Sequence, residues 1–399
     1  MQEELPDPTL VEDEEGLDAL LSELEGVDEL AVDTEADSFF SYREKVCLIQ
    51  ITAAGRDYLV DPLAGVDIAP LGAVLADPAR VKVFHDGEYD VLLFKREYGF
   101  EFASLFDTRI AVAALGSESP GLANVLEEHF GVRLDKSLQR SDWSSRPLSA
   151  RQIAYARLDT HYLLSLKERL EAELERNGRS VIVEGECRRL TELDGTVVGF
   201  RPDDWVRIKG ARGLSPVERR SLHELFSLRD RLAERSDLPP FKVMGAATLL
   251  ALAERAPRDE RGLSGIPGLS PRLVRRFGAQ LVDTLEEARR QEPITRMPER
   301  PPRDGSAGLS PEQLELFDRM KGWRKKCARE EGFDSSLVLN RHALARIVHE
   351  RPLTVADLAG VSGVIAWQVE RYGESIVEVV RAWEDDLSHG RIDTRRRRC

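Results

Sequence analysis

Three short segments decide most of what this chain can become, because each sets acidic side chains in a different local context. Ala31-Val32-Asp33-Thr34-Glu35 opens on an apolar pair and leads into a loop, which reads as the end of a strand. Alternate strand residues share a face, so Asp33 and Glu35 look the same way. Val81 to His85 reads as a short buried strand, and Asp90-Val91-Leu92-Leu93-Phe94 as a helix. Gly87 lies at the switch between them, where backbone has to approach a ligand closely. Pro147 to Arg176 carries the period of one long amphipathic helix, on which Tyr155 and Asp159 are four apart and share a face. A strand, a strand-to-helix turn and a helix that converge predict an α/β domain.

Asp33, Glu35, Asp90 and Asp159 then offer only hard oxygen ligands, which suits a pair of Mg²⁺ or Mn²⁺ ions better than zinc. Two such ions about 3.5–4 Å apart are the usual apparatus for in-line hydrolysis of a phosphodiester.

In order, context and spacing these segments resemble the three motifs of the DEDD 3′→5′ exonucleases, in the subclass with tyrosine in the third motif. Phe106-Asp107-Thr108-Arg109, Asp135-Lys136-Ser137, Ser141-Asp142-Trp143 and Arg146-Pro147-Leu148-Ser149 extend the likeness to the ribonuclease D family. It covers roughly residues 16–190; residues 36–44, after Glu35, follow no family pattern. The resemblance implies an RNase H-like mixed-sheet domain in which Asp33, Glu35, Asp90 and Asp159 hold two divalent ions. Glu35 would also meet the 3′-terminal hydroxyl, and Tyr155 would orient the attacking water. His85 is either a support behind the metal ligands or a core residue. Asp107 ends a predicted strand, Phe102 to Phe106, and either supports the ligands or caps the helix at Thr108.

Charge is unevenly distributed. The net charge is −14, yet residues 1–30 hold −12 of it, residues 31–200 hold −8 and residues 201–399 hold +6. The C-terminal half is therefore the expected phosphate-facing surface. The acidic start reads as a solvated arm running into a helix near Leu17 to Leu24, with mimicry of nucleic acid as the other reading. No apolar run is long enough to span a membrane, and no basic-then-apolar leader is present. Cys47, Cys187, Cys327 and Cys399 have neither zinc nor disulfide spacing, which suits a reducing cytoplasm.

The C-terminal half repeats itself. Gly213-Leu214-Ser215-Pro216 recurs as Gly308-Leu309-Ser310-Pro311, and without a gap Arg229 pairs with Arg324, Val243 with Val338, Gly268 with Gly363 and Arg276-Phe277-Gly278 with Arg371-Tyr372-Gly373. Each copy has helical periodicity and resembles the HRDC domain. In the second copy Lys321, Arg324, Lys325 and Lys326 flank Trp323. This group either grips RNA phosphates and stacks a base, or solvates a helix whose tryptophan faces the core.

The expected order is an acidic extension (1–15), an exonuclease domain (16–190), a linker (191–212), an HRDC-like domain (213–288), a proline-rich linker (289–307), a second HRDC-like domain (308–386) and a basic tail (387–399) with Arg395 to Arg398. The function implied is a 3′→5′ exoribonuclease releasing nucleoside 5′-monophosphates, with tRNA precursors and the 3′ ends of other small RNAs as partners. A DNA exonuclease of the Werner type and a non-catalytic RNA-binding adaptor are the alternatives.

Overall fold

The computed structural model describes residues 5–196, 199–298 and 309–392. Two compact units emerge: one from residues 5–36, 46–196 and 309–392, the other from 37–45 and 199–298. Arg395 to Arg398, Pro301, Pro302 and Gly308 lie outside the described residues.

The first unit is built on six strands: β1 (Thr9–Val11), β2 (Glu29–Ala36), β3 (Val46–Ala53), β4 (Arg56–Val60), β5 (Val81–Phe84) and β6 (Leu105–Asp107), in the order β1-β4-β3-β2-β5-β6. Its β2–β3 and β3–β4 pairs are antiparallel; β1–β4, β2–β5 and β5–β6 are parallel. The first strand lies inside the stretch read as an acidic extension, so the sheet starts earlier than expected. Around the sheet run α1 (Glu14–Leu24), α2 (Leu71–Ala76), α3 (Glu88–Tyr98), α4 (Thr108–Ala114), α5 (Leu122–Phe130), α6 (Ala150–His161), α7 (Leu163–Arg176) and α8 (Ser180–Thr191).

Strand alternation sorts the residues. Leu30 and Val32 of β2 and Ile49 and Ile51 of β3 enter a core with Leu17, Leu20, Val91 and Phe94 of α1 and α3. Ala31 turns the other way, toward Leu163, Leu166 and Leu170 of α7, and Asp33 and Glu35 continue on that face. Asp33 therefore lies within β2, not at its end, and the ladder register shifts immediately after Glu35. The predicted strand from Phe102 forms only over Leu105–Asp107; Phe102 packs edge-on against Phe84 instead. The single helix expected from Pro147 to Arg176 is two, α6 and α7, separated at Tyr162.

The second unit holds α9 (Pro216–Ser236), α10 (Pro240–Val243), α11 (Ala246–Arg255) and α12 (Pro271–Arg290). Trp205, Val206, Ile208 and Ala211, from the presumed linker, are buried in its core. Residues 37–45 belong here too. Tyr42 donates through its hydroxyl to Asp230 at 3.0 Å, and Lys242 Nζ lies 3.8 Å from the centre of the Phe40 ring. The loop that matched no nuclease pattern is shaped by a helical module, which accounts for its unfamiliar sequence.

The other copy of the repeat forms α13 (Pro311–Glu331), α14 (Ser335–Val338), α15 (Arg341–Glu350), α16 (Val355–Ala359) and α17 (Ala366–Ser388). The starts of α13, α14, α15 and α17 each lie 95 residues beyond those of α9, α10, α11 and α12. The repeated Ser-Pro is a helix start in both copies. Ser215 and Ser310 are N-caps in capping boxes with Glu218 and Gln313, and the prolines take the first helical turn, where no N–H is needed. This copy shares a core with the nuclease sheet's helices: Leu166, Leu170 and Ile182 run without a break into Leu316, Phe317, Ile376 and Trp383.

Candidate active site

Three elements bring acidic residues to one cavity of about 340 Å³. Strand β2 supplies Asp33, Thr34 and Glu35; the β5–α3 turn supplies His85 and Asp86; α6 supplies Tyr155 and Asp159; Arg109, Gly121, Leu122 and Gln139 complete the wall. Asp90 stands behind Thr34, whose hydroxyl donates to its carboxylate. Asp90, Tyr155 and Asp159 are 5%, 7% and 6% exposed, so their polar atoms face the site and not bulk water.

α6 is held in place by polar contacts under its length. Ser149 and Gln152 form its capping box. Asp57 of β4 takes Arg157 Nη2 at 2.9 Å and His161 Nδ1 at 2.8 Å, and Thr52 of β3 meets Thr160 at 2.8 Å. Upstream, Arg146 donates from Nη2 to Asp61 Oδ1 and to the Cys47 carbonyl, both at 2.7 Å. Buried Trp143 lies against Tyr155, ring centres 6.0 Å apart.

The turn that leads into α3 is held by Asp107, which accepts four backbone N–H groups: Gly87 and Arg109 at 2.8 Å, Asp86 and Ile110 at 3.1 Å. Of the two readings for this residue, the helix cap is observed, and the same carboxylate also fastens the turn before Asp90. Asp86 takes the left-handed region at φ 65°. Gly87 does approach something closely, but it is a side chain: a Cβ there would lie 2.6 Å from Phe84. His85 Nδ1 meets Thr108 Oγ1 at 2.9 Å, and Thr108 Oγ1 lies 3.0 Å from the Phe84 carbonyl. Burial, helped by Arg109, drives the imidazole down to about 4, so it is neutral at pH 7.

The carboxylates disturb one another. Burial first, then the charges of Asp90, Asp159 and Glu35, lift Asp33 well above the usual carboxylate range. Burial and Asp90 do the same for Asp159. Glu35 is pushed up to about 9 by burial, Asp159 and Asp90; Asp90 reaches about 6 through burial, opposed by the Thr34 hydroxyl. Burial and the three acids around it also raise the Tyr155 phenol, keeping it protonated. Among the described residues none of the four carboxylates forms an ion pair with lysine or arginine, and the nearby Arg109 is turned to Asp86 at 3.4 Å. Acidic oxygens crowded together without a counter-charge fit hard divalent cations. Among the described residues no three His, Cys, Asp or Glu side chains stand together closely enough to hold a metal ion as they are.

The basic residues of the second copy do not share one helix face. Successive helix residues turn about 100°, so Trp323 and Lys326 leave the face of Lys321, Arg324 and Lys325. Trp323 packs edge-on against Tyr372 at 5.8 Å. Arg324 is committed to the Leu339 carbonyl at 2.9 Å, as Arg229 is to Met244 in the first copy at 3.3 Å. Repetition of that arginine thus reflects a structural contact. Lys326 faces Glu330 at 3.8 Å, and Lys321 lies over Phe317.

The wall residues that motif reading did not single out are Thr34, Asp86, Arg109, Gly121, Leu122 and Gln139. Arg109 had a signal, its place beside Asp107-Thr108; Gln139 had only its position between two family-like segments.

A family model described as a 3′-5′ exonuclease matches residues 8–175, and one for the HRDC domain matches residues 218–285 and 313–380. A ribonuclease D from Acidiphilium cryptum is 35% identical over 66% of this chain and 68% of its own length. One from Sphingobium indicum is 32% identical over 88% of this chain and 89% of its own. The crystal structure of Escherichia coli RNase D, an exoribonuclease involved in structured RNA processing, superposes with a TM-score of 0.69 at 27% identity, covering 94% of this chain and 99% of that one.

Proposed function

The chain belongs to the ribonuclease D family and is a 3′-5′ exoribonuclease, and from that premise we propose how its residues divide the work. The reaction depends on divalent metal ions, with RNA as substrate. Asp33, Glu35, Asp90 and Asp159 hold two of them, Mg²⁺ or Mn²⁺. When bound, such ions polarise the scissile phosphate and acidify the attacking water.

The observation that carries the assignment is the convergence of Asp33, Glu35, Asp159 and Tyr155 on one cavity, with Asp90 directly behind, bonded to the lining residue Thr34. Tyr155 shares a face of α6 with Asp159, and its proton stays in place, so its hydroxyl can hold the attacking water by a hydrogen bond. Glu35, at the cavity end of β2 before the register shift, is placed to receive the 3′-terminal hydroxyl and so to restrict attack to chain ends. His85 and Asp107 are structural supports: neutral His85 is anchored on Thr108, and Asp107 fixes the turn preceding Asp90. Products are nucleoside 5′-monophosphates. The substrates are tRNA precursors and other small RNAs with structured bodies and free 3′ ends, and the site of action is the cytoplasm. Among the described residues no helix is long and apolar enough to cross a membrane.

The test is degradation of a 5′-labelled, 3′-extended tRNA beside a matched single-stranded DNA. Asp33→Asn and Asp159→Asn should each lower turnover by several orders of magnitude with circular dichroism unchanged. Full activity in EDTA, or DNA degraded as fast as RNA, would overturn the proposal.

A further inference from the structure

One buried polar side chain beside the site has no partner among the described residues. Gln50 sits in the middle of β3, where Leu48, Ile49 and Ile51 are all apolar, and is 0% exposed. Among the described residues neither its amide nitrogen nor its amide oxygen has a hydrogen-bond partner. An amide buried this way costs stability for each polar atom left unpaired. An apolar residue of similar size would avoid that cost, so the position calls for a reason.

Its place in the sheet supplies one. Gln50 is the cross-strand partner of Asp33 on β2, and Glu35 is paired with Leu48. Residues directly opposite in an antiparallel pair point to the same face, with Cβ atoms about 4.5–5.5 Å apart. Two residues further along, Thr52 reaches Thr160 of α6; two residues back, Leu48 packs with Tyr155 and Ala156. Gln50 therefore lies under α6, between Tyr155 and Thr160, on the side of Asp33 away from β5. This face of the sheet holds acids that repel one another. A neutral amide N–H can fix the direction of a carboxylate there without neutralising it, whereas lysine or arginine would compete with cations for the same oxygens.

We infer that Gln50 is a positioning residue for Asp33: its amide N–H orients the Asp33 carboxylate for cation binding. The inference rests on Asp33 being a metal ligand, as proposed above. The unpaired amide is then a donor held ready for the ionised carboxylate. Residues that orient a metal ligand typically change metal affinity about ten- to a hundred-fold when replaced.

The experiment uses the full chain with Gln50→Leu, close in volume and without an amide. Mn²⁺ binding is measured by calorimetry and electron paramagnetic resonance, and thermal unfolding is followed in EDTA. The expected result is a roughly tenfold or greater loss of Mn²⁺ affinity, with a Tm in EDTA equal to or above that of the parent. Activity should return toward the parent value at saturating Mn²⁺. A purely structural amide would lower Tm and leave affinity alone; unchanged Mn²⁺ affinity would overturn the inference. Gln50→Met, unbranched and of similar length, poses the same question should leucine not fit. Asp33→Asn is measured alongside: if it also leaves Mn²⁺ affinity intact, the ligand assignment itself has failed and not the role of Gln50.

Discussion

Replacing Asp107 separates its structural work from the chemistry. Its carboxylate accepts four backbone N–H groups and its own N–H donates to Cys187 Sγ at 3.2 Å. Asp107→Ala removes all four acceptor contacts. Loss of the N-cap of α4 costs about 1 kcal/mol. The Gly87 N–H is buried and would be left unpaired, at about 1–3 kcal/mol. The Asp86, Arg109 and Ile110 amides are only partly buried, and water can replace much of what they lose. The sum is about 3 kcal/mol, with the Gly87 contact the largest part. Asp107→Asn keeps an oxygen for Asp86, Arg109 and Ile110 but sets an NH₂ group against the Gly87 N–H. It should therefore cost less than alanine, about 1–2 kcal/mol. Because the turn leads directly into α3, both changes should displace Asp90 and lower kcat more than they raise KM. Urea unfolding gives the stability difference. Hydrogen exchange at Gly87, Arg109 and Ile110, followed by mass spectrometry, shows whether the loss is local. The reasoning is refuted if Asp107→Ala costs under about 0.5 kcal/mol, within the range of an ordinary surface substitution, or if exchange at Gly87 does not rise.

Tyr155→Phe should reduce kcat at least tenfold with little change in KM; an equal loss of RNA binding in filter assays would mean that the ring stacks a base instead. In EDTA the protein should lose stability as pH rises from about 4.5 to 9. Glu35 is pushed up to about 9 when folded, so the folded state holds a proton through that window that the unfolded chain releases. Mg²⁺ should reverse the trend, raising Tm more at pH 9 than at pH 6; a Tm that is flat in EDTA across this range counts against the acid cluster. Arg324→Gln should lower Tm by exposing the Leu339 carbonyl and leave the salt dependence of RNA binding unchanged, whereas changing Lys321, Lys325 and Lys326 together to Gln should flatten it. If Arg324→Gln alone flattens the salt slope, that arginine contacts RNA.

Local pattern was enough for much of this protein. Strand periodicity sets Asp33 and Glu35 on one face, helix periodicity sets Tyr155 and Asp159 on one face, and the repeated Ser-Pro marks two equivalent helix starts. Each depends on neighbours within a few residues, so the linear sequence carries it. Other features depend on which distant segments meet. Pro147 to Arg176 looks like one helix, but α6 ends at His161, beside the contacts of Thr160 and His161 with the sheet, and α7 starts at Leu163. Residues 37–45 have no nuclease-like sequence because Asp230, Asp237 and Lys242, nearly two hundred residues away, determine their contacts. Charge counting left open whether the cations around Trp323 grip RNA or solvate a helix, because a formal charge does not say whether a guanidinium is already committed to a carbonyl. The second helical copy reads in sequence as a domain of its own over residues 308–386; in the structure its core is continuous with that of the nuclease helices. Gln50 shows the division most plainly. One polar residue in an apolar strand is visible in sequence as an anomaly, and only the antiparallel register of β2 and β3 sets it opposite Asp33. Side-chain chemistry and periodicity therefore determined which residues could hold a metal and on which element each would stand. Long-range pairing, which no local propensity encodes, decided what supports them.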